Sequence, residues 1–449
     1  MSAASADHFM RQSLTRDYPR IVRGEGIYLI DDRGRRIMDG ASGGVGPCNL
    51  GHGREEIISA MAEQARTLAF AHISMYETEP QIALANKLCA ELAQPGMAKA
   101  YFTSTGTEAM ETAVKLARLY HLCRGNAQKY HIISLWNGYH GSSIAAMAYS
   151  GRSQRRGELH PYYFSCTKLE PPYCYHCPYG KHYPQCGMAC AWALETALKR
   201  VGPEQVSCFL QEPVGNTLGC VCPPPEYFPI IRQICDKYDV VFVADEVVTG
   251  MGRCGKWFAL EHWDTVPDLV ALGKGLAAGY SPLAATLVHE KLWQVFDQAQ
   301  RSIPGFTYAG NPVSCAAGLA TLRYIEDHNL VQQSAELGAY LHERACAELL
   351  DLPLVGDVRG GKGLYLGVEY VQDKATREPF PAELNLGNRM GDMLFENGLG
   401  NCPITAGVDG LRGDVTVIKP AFIITREEID RLVEILRETI VQAQQALGW

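Results

Sequence analysis

The chain has no apolar run of the roughly 18 residues that a membrane-spanning helix needs, and its first twenty residues, MSAASADHFMRQSLTRDYPR, contain no apolar leader core. A membrane partner is therefore not expected, and the cytoplasm is the expected location. Basic charge is also scarce: 41 Lys and Arg stand against 49 Asp and Glu, a formal net charge of −8, with no basic block or stripe. That argues against a nucleic-acid partner, which would need such a face for the phosphate backbone. No G-x-G-x-x-G follows a strand in the right frame, so a dinucleotide site is discounted. Cysteine is plentiful, at 16 residues, but most are scattered singly in apolar surroundings, as at Cys89, Cys208, Cys235 and Cys346, where packed free thiols are expected. What remains is a globular chain of 449 residues, 47% hydrophobic and 20% charged, long enough for two domains.

The most informative stretch is residues 240–276. Val240-Val241-Phe242-Val243-Ala244 is a short, continuous, β-branched run, the pattern of a strand buried on both faces of a parallel sheet. It ends at Asp245-Glu246, and carboxyl ends of strands are where open α/β sheets place their ligand crevice. A glycine-punctuated loop, 249–255, leads to a second apolar run, 269–272, which ends at Gly273-Lys274-Gly275. A lysine and an aspartate, each closing a buried strand, are the two groups that a pyridoxal phosphate site requires. The lysine forms a Schiff base with the aldehyde, and the carboxylate keeps the pyridine nitrogen protonated so that the ring withdraws electrons.

The pattern DEV-x2-G-x-GR-x-G, followed by PD-x4-GKG, resembles the signature of class III (subgroup II, fold-type I) pyridoxal phosphate-dependent aminotransferases. The resemblance implies a large α/β domain with a mostly parallel, seven-stranded-type sheet and a small α+β domain. We divide the chain accordingly: 1–57 as the N-terminal part of the small domain, 58–312 as the large cofactor-binding domain, and 313–449 as a connecting helix with the rest of the small domain. Lys274 and Asp245 are the expected catalytic pair.

Other segments extend the resemblance. A strand running into Ser104-Thr105-Gly106-Thr107-Glu108-Ala109 puts free N–H groups and hydroxyls at a helix start, an anion site. It is similar to the family's phosphate cup, which implies Thr105, Gly106 and Thr107 as phosphate ligands. Trp136-Asn137-Gly138-Tyr139-His140-Gly141 matches G-[YFW]-H-G, implying that Tyr139 stacks on the ring and His140 supports it. Gln211-Glu212-Pro213-Val214 is similar to the EPV motif, which places Glu212 near the cofactor's 3-oxygen, while Val247 packs under the ring opposite Tyr139. Phe306-Thr307-Tyr308-Ala309-Gly310-Asn311-Pro312 resembles FTYSG-x-P, implying that Thr307 reaches the phosphate of a neighbouring subunit and that the protein is a homodimer or larger.

Substrate residues are less determined. In the glycine-rich loop 40–53 the family's aromatic is replaced around Val45 and Gly46, a roomier pocket or simple drift of the loop. Tyr76 is a pocket wall or ordinary packing. Arg412 stands near the register of the arginine that grips a 2-oxo acid carboxylate, as clamp or as solvated loop residue, and Lys419 occupies a usually apolar position. Arg359 is expected to be structural. Residues 171–191 look like an insertion with Cys174-x2-Cys177-x8-Cys186-x3-Cys190 and His176 and His182 nearby: packed thiols, a disulfide, or a structural zinc. No metal is expected in the catalytic site. The expected activity is ping-pong transfer of an amino group from an amine or ω-amino acid to pyruvate or 2-oxoglutarate; a racemase or epimerase of the same family is the alternative.

Overall fold

A computed structural model describes residues 8–14, 16–152, 157 and 159–448. Of the first twenty residues, 1–7 and 15 lie outside the described residues. Strands β1 (Ile21–Glu25), β2 (Tyr28–Asp31) and β3 (Arg36–Asp39) form an antiparallel ribbon. The polar turn between β2 and β3 is closed by Asp31, whose carboxylate accepts from the Arg33 and Arg35 amides at 3.0 and 2.8 Å.

The central sheet holds seven strands: β4 (Met97–Thr103), β5 (His131–Leu135), β6 (Thr167–Leu169), β7 (Val206–Gln211), β8 (Val241–Asp245), β9 (Leu269–Leu272) and β10 (Ala284–His289), in the order β4-β10-β9-β8-β7-β5-β6. Only β10 runs against its neighbours. The reason for the continuous apolar run in β8 is visible in its alternation. Val241 and Val243 pack with Met110 and Ala113 of helix Gly106–Cys123, whereas Phe242 and Ala244 pack with Phe228 and Ile231 of helix Tyr227–Tyr238 on the other face. Phe242 stacks between Phe209 and Phe228, with ring centroids 6.2 and 6.1 Å away, within the range where aromatic pairs attract.

Beyond the sheet, helix Pro312–Asp327 packs on Glu55–Thr67 and Glu79–Asn86. The chain then adds β11 (Val355–Arg359), β12 (Leu366–Tyr370), β13 (Leu399–Gly400), β14 (Cys402–Ile404) and β15 (Asp414–Ile418). Strand β13 pairs in parallel with β3, so both halves of the chain share one four-stranded sheet; β11, β12, β15 and β14 form another. The last helix, Arg426–Leu447, begins with a capping box between Thr425 and Glu428. Among the described residues no helix is long and apolar enough to cross a membrane.

The stretch 171–191 docks onto β11 and β12. Glu369 of β12, buried, accepts from His176 Nε2 at 2.7 Å, from the Tyr173 hydroxyl and from Arg359. Arg359 also donates to the carbonyls of Gly219 and Leu218 at 2.8 and 3.0 Å, the structural role expected of it. All sixteen thiols are free, so the disulfide reading is not realised. Cys174, Cys177, Cys186 and Cys190 line one small cavity, but among the described residues no group of three or more His, Cys, Asp or Glu side chains is arranged to hold a metal ion.

Removing one member of a buried charge pair leaves the other uncompensated, which costs about 3–5 kcal/mol. Arg359→Met is therefore expected to lower unfolding stability by about that amount, measured by urea denaturation. Loss of under about 1 kcal/mol, the scale of a surface pair, would show that the clasp on Glu369 is not a stabilising contact.

Candidate active site

The parallel strands bring the loops after β5, β7, β8 and β9 to one edge of the sheet, where a cavity of about 770 Å³ opens. In the β8–β9 pairing Asp245 lies opposite Ala271, so Lys274 follows three residues beyond that partner and both side chains line the cavity. Lys274 takes φ +39°, a left-handed conformation uncommon for a residue with a Cβ. Its flanking glycines are required by space: a Cβ at Gly275 would sit 2.8 Å from Asn49 Nδ2, and one at Gly273 3.2 Å from Val247 Cγ1.

Asp245 is buried, and its Oδ2 accepts from His140 Nδ1 at 2.7 Å while Oδ1 accepts from the Val247 amide at 3.1 Å. Because a carboxylate only accepts, this bond puts the imidazole proton on Nδ1. His140 Nε2 is buried with no hydrogen-bond partner, and the His140 amide donates to Ser150 Oγ at 2.9 Å. Glu212 accepts from the amides of Tyr139 (3.1 Å) and Asn216 (3.3 Å). Burial, reinforced by Asp245 and opposed by His140, pushes its carboxyl up to about 7. Burial and then the nearby Lys419 ammonium pull Lys274 down to about 8, against the opposing pull of Asp245 and Glu212. Desolvation disfavours the charged form of either group, so a buried acid and a buried amine approach neutrality from opposite sides.

The remaining expected residues divide by position. Gly106, Thr107, Tyr139, Val247 and Val45 line the cavity. Thr105 instead caps helix Gly106–Cys123, its Oγ1 accepting from the Glu108 amide at 3.2 Å. A Cβ at Gly106 would meet Val247 Cγ1 at 2.8 Å, so the bare backbone lets the helix start close against the wall of the cavity. Gly46 lies behind the lining, where a Cβ would fall 3.2 Å from the Lys419 stem: the space left by the missing aromatic borders a lysine. Tyr76 and Thr307 are exposed and outside the lining. Arg412 also lies outside it, its guanidinium held by Asp409 at 2.8 Å and Glu378 at 2.6 Å. Lys419 and Asn216, both in the lining, stand outside the set expected from sequence. The available signal was a charged residue directly after the apolar run of β15.

These residues fit a flat, anionic, aldehyde-bearing cofactor. A carboxylate backed by histidine faces the cavity, an amine of lowered pKa shares it, and the amino end of an 18-residue helix lines it. This is the site of a fold-type I pyridoxal phosphate-dependent enzyme. The family model described as Aminotransferase class-III matches residues 12–440. The chain is 37% identical over 439 residues to the diaminobutyrate–2-oxoglutarate transaminase of Halomonas elongata, covering 95% of this chain and 91% of the relative. It is 34% identical over 428 residues to the putrescine–pyruvate aminotransferase of Pseudomonas aeruginosa, covering 95% and 91%. An amine transaminase from an uncultivated Pseudomonas species, solved in its PLP-bound form, superposes with a TM-score of 0.92 at 31% identity, covering 98% and 99% of the two chains. The chain belongs to the class III aminotransferases, and its cofactor is pyridoxal 5′-phosphate.

The neutral amine is the nucleophile toward the cofactor aldehyde, so capture by protein stripped of cofactor is expected to quicken as pH rises and to level off above about 8. Borohydride reduction of timed samples, with mass analysis of the Lys274 peptide, reads this directly. A rise continuing toward 10.5, the ordinary lysine value, would contradict the lowered pKa.

Proposed function

We propose that the protein moves an amino group from an amine or ω-amino acid donor to a 2-oxo acid, pyruvate or 2-oxoglutarate, in two half-reactions. The observation that carries this is the convergence of Lys274 and Asp245 on one cavity from adjacent parallel strands. The donors and acceptors in the names of the two relatives, diaminobutyrate with 2-oxoglutarate and putrescine with pyruvate, support the substrate class.

When bound, the cofactor supplies an electron sink conjugated to the donor's amine-bearing carbon. Asp245, oriented by His140 and the Val247 amide, holds positive charge at the pyridine nitrogen. Tyr139 and Val247, both in the lining, would hold the two faces of the ring. Gly106 and Thr107 offer amide and hydroxyl donors to the phosphate, with Thr105 keeping the helix start in place. Glu212 would lie at the side of the 3-oxygen. Lys274 Nζ, neutral above about pH 8, would be the base that moves the proton at the donor's amine-bearing carbon.

Thr307 acts on the phosphate of a second subunit in a homodimer. Its exposed turn adjoins an aromatic face in which Phe70 and Tyr308 meet at 5.7 Å and Met75 and Tyr76 are largely exposed; patches of this kind mark association surfaces.

Incubation with diamines or ω-amino acids and pyruvate or 2-oxoglutarate is expected to release alanine or glutamate. Racemisation of an amino acid without either product would favour the epimerase chemistry instead. Lys274→Ala is expected to lower turnover by about 10²–10⁴-fold, the usual worth of a positioned acid–base group. Undiminished turnover in that variant would overturn the proposal.

A further inference from the structure

Lys419 is the buried cation of the cavity that the chemistry above does not use. Its backbone is pinned on both sides: the amide donates to the Gly40 carbonyl at 2.7 Å, and its carbonyl accepts from Ser42 Oγ at 2.7 Å. The side chain is 1% exposed and lines the same cavity as Lys274. Its stem runs beside Gly46, where any side chain would displace it. The ammonium has three donors; one reaches Asn216 Oδ1 at 3.1 Å, an oxygen that also accepts from the Tyr365 hydroxyl at 2.7 Å. Among the described residues no carboxylate lies within ion-pairing distance of it. A buried cation with unfilled donors and no counter-ion is costly unless a ligand completes it. The nearest arginine to the expected clamp register, Arg412, is committed to Asp409 and Glu378 outside the cavity.

We propose that Lys419, oriented by Asn216, holds the carboxylate of the substrate, so that acceptance of 2-oxo acids is written into the end of β15. This rests on the aminotransferase reading of the same site. Substrate binding would place an anion between Lys419 and the cofactor and complete the ammonium's hydrogen bonds. The loop at Val45 and Gly46 then leaves room for the lysine stem, because a Cβ at Gly46 would already crowd it at 3.2 Å.

The test compares the holoenzyme with Lys419→Met and Lys419→Arg, using as acceptors pyruvate, a three-carbon 2-oxo acid, and propanal, a three-carbon aldehyde that has no carboxylate. Losing one partner of a buried charge pair typically weakens binding by about 30-fold or more. The KM for pyruvate is expected to rise by about that factor in Lys419→Met, at least tenfold more than any change with propanal, and to recover partly in Lys419→Arg. Propionate, an unreactive carboxylate, is expected to lose affinity in parallel by calorimetry. Should Lys419→Met fail to fold, Asn216→Asp sets a carboxylate against the ammonium and is expected to raise the pyruvate KM by competing for it. Equal losses with pyruvate and propanal, or unaltered propionate affinity, would overturn the proposal and leave Lys419 only as a charge that tunes Lys274. If the parent enzyme transfers amino groups while the variants keep its pyruvate KM, this inference alone fails; if the parent transfers none to any acceptor, the reading of the site fails first.

Discussion

The site depends on the parallel register of β8 against β9. Parallel pairing brings carboxyl ends to a common edge, so groups 29 residues apart in the chain, Asp245 and Lys274, open into one volume. The antiparallel strand β10 does not disturb this, because β4, paired against β10, again points its carboxyl end to the same edge. The turn after β4 therefore delivers the amino end of helix Gly106–Cys123 to the cavity. With that register in place, the loops carrying Tyr139 and Glu212 arrive beside Asp245 without further device.

The charges at the heart of the cavity are largely desolvated. Two ammoniums, Lys274 and Lys419, share the cavity with two carboxylates, Asp245 and Glu212, with Arg16 and Arg152 also in the lining and His140 bonded to Asp245. Burial acts on acids and amines in opposite senses, which is why Glu212 and Lys274 both come to titrate close to neutral pH. A lysine that must be alternately nucleophile and proton carrier benefits from this, and the second ammonium contributes to it through space.

The cysteine-containing stretch shows how a segment with metal-like spacing can be held by other means. Glu369 on β12 gathers Tyr173 and His176 from that stretch and Arg359 from β11, and Arg377 donates to the Tyr175 carbonyl at 2.6 Å. Hydrogen-bonded charge thus fastens it to the C-terminal sheet.

From sequence alone, local signals determined a good deal. Strands β8 and β9 fall where their apolar runs put them, because each buries faces whose pattern is short-range. Other elements were not legible. The π-helical turn Lys87–Leu92 that follows helix Glu79–Asn86 carries no local signal; strand β10 and helix Glu290–Gln298 carry no motif; and β13 exists only through its pairing with β3. Asp245 and Lys274 could be named because their chemistry requires those residue types at strand ends. What lines the substrate end of the cavity could not, because Arg412 and Lys419 lie seven residues apart on one strand and its approach. Only the fold decides that Glu378, beside the local Asp409, draws the arginine away while Gly40, Gly46 and Asn216 turn the lysine inward, since Glu378, Gly40, Gly46 and Asn216 come from distant parts of the chain.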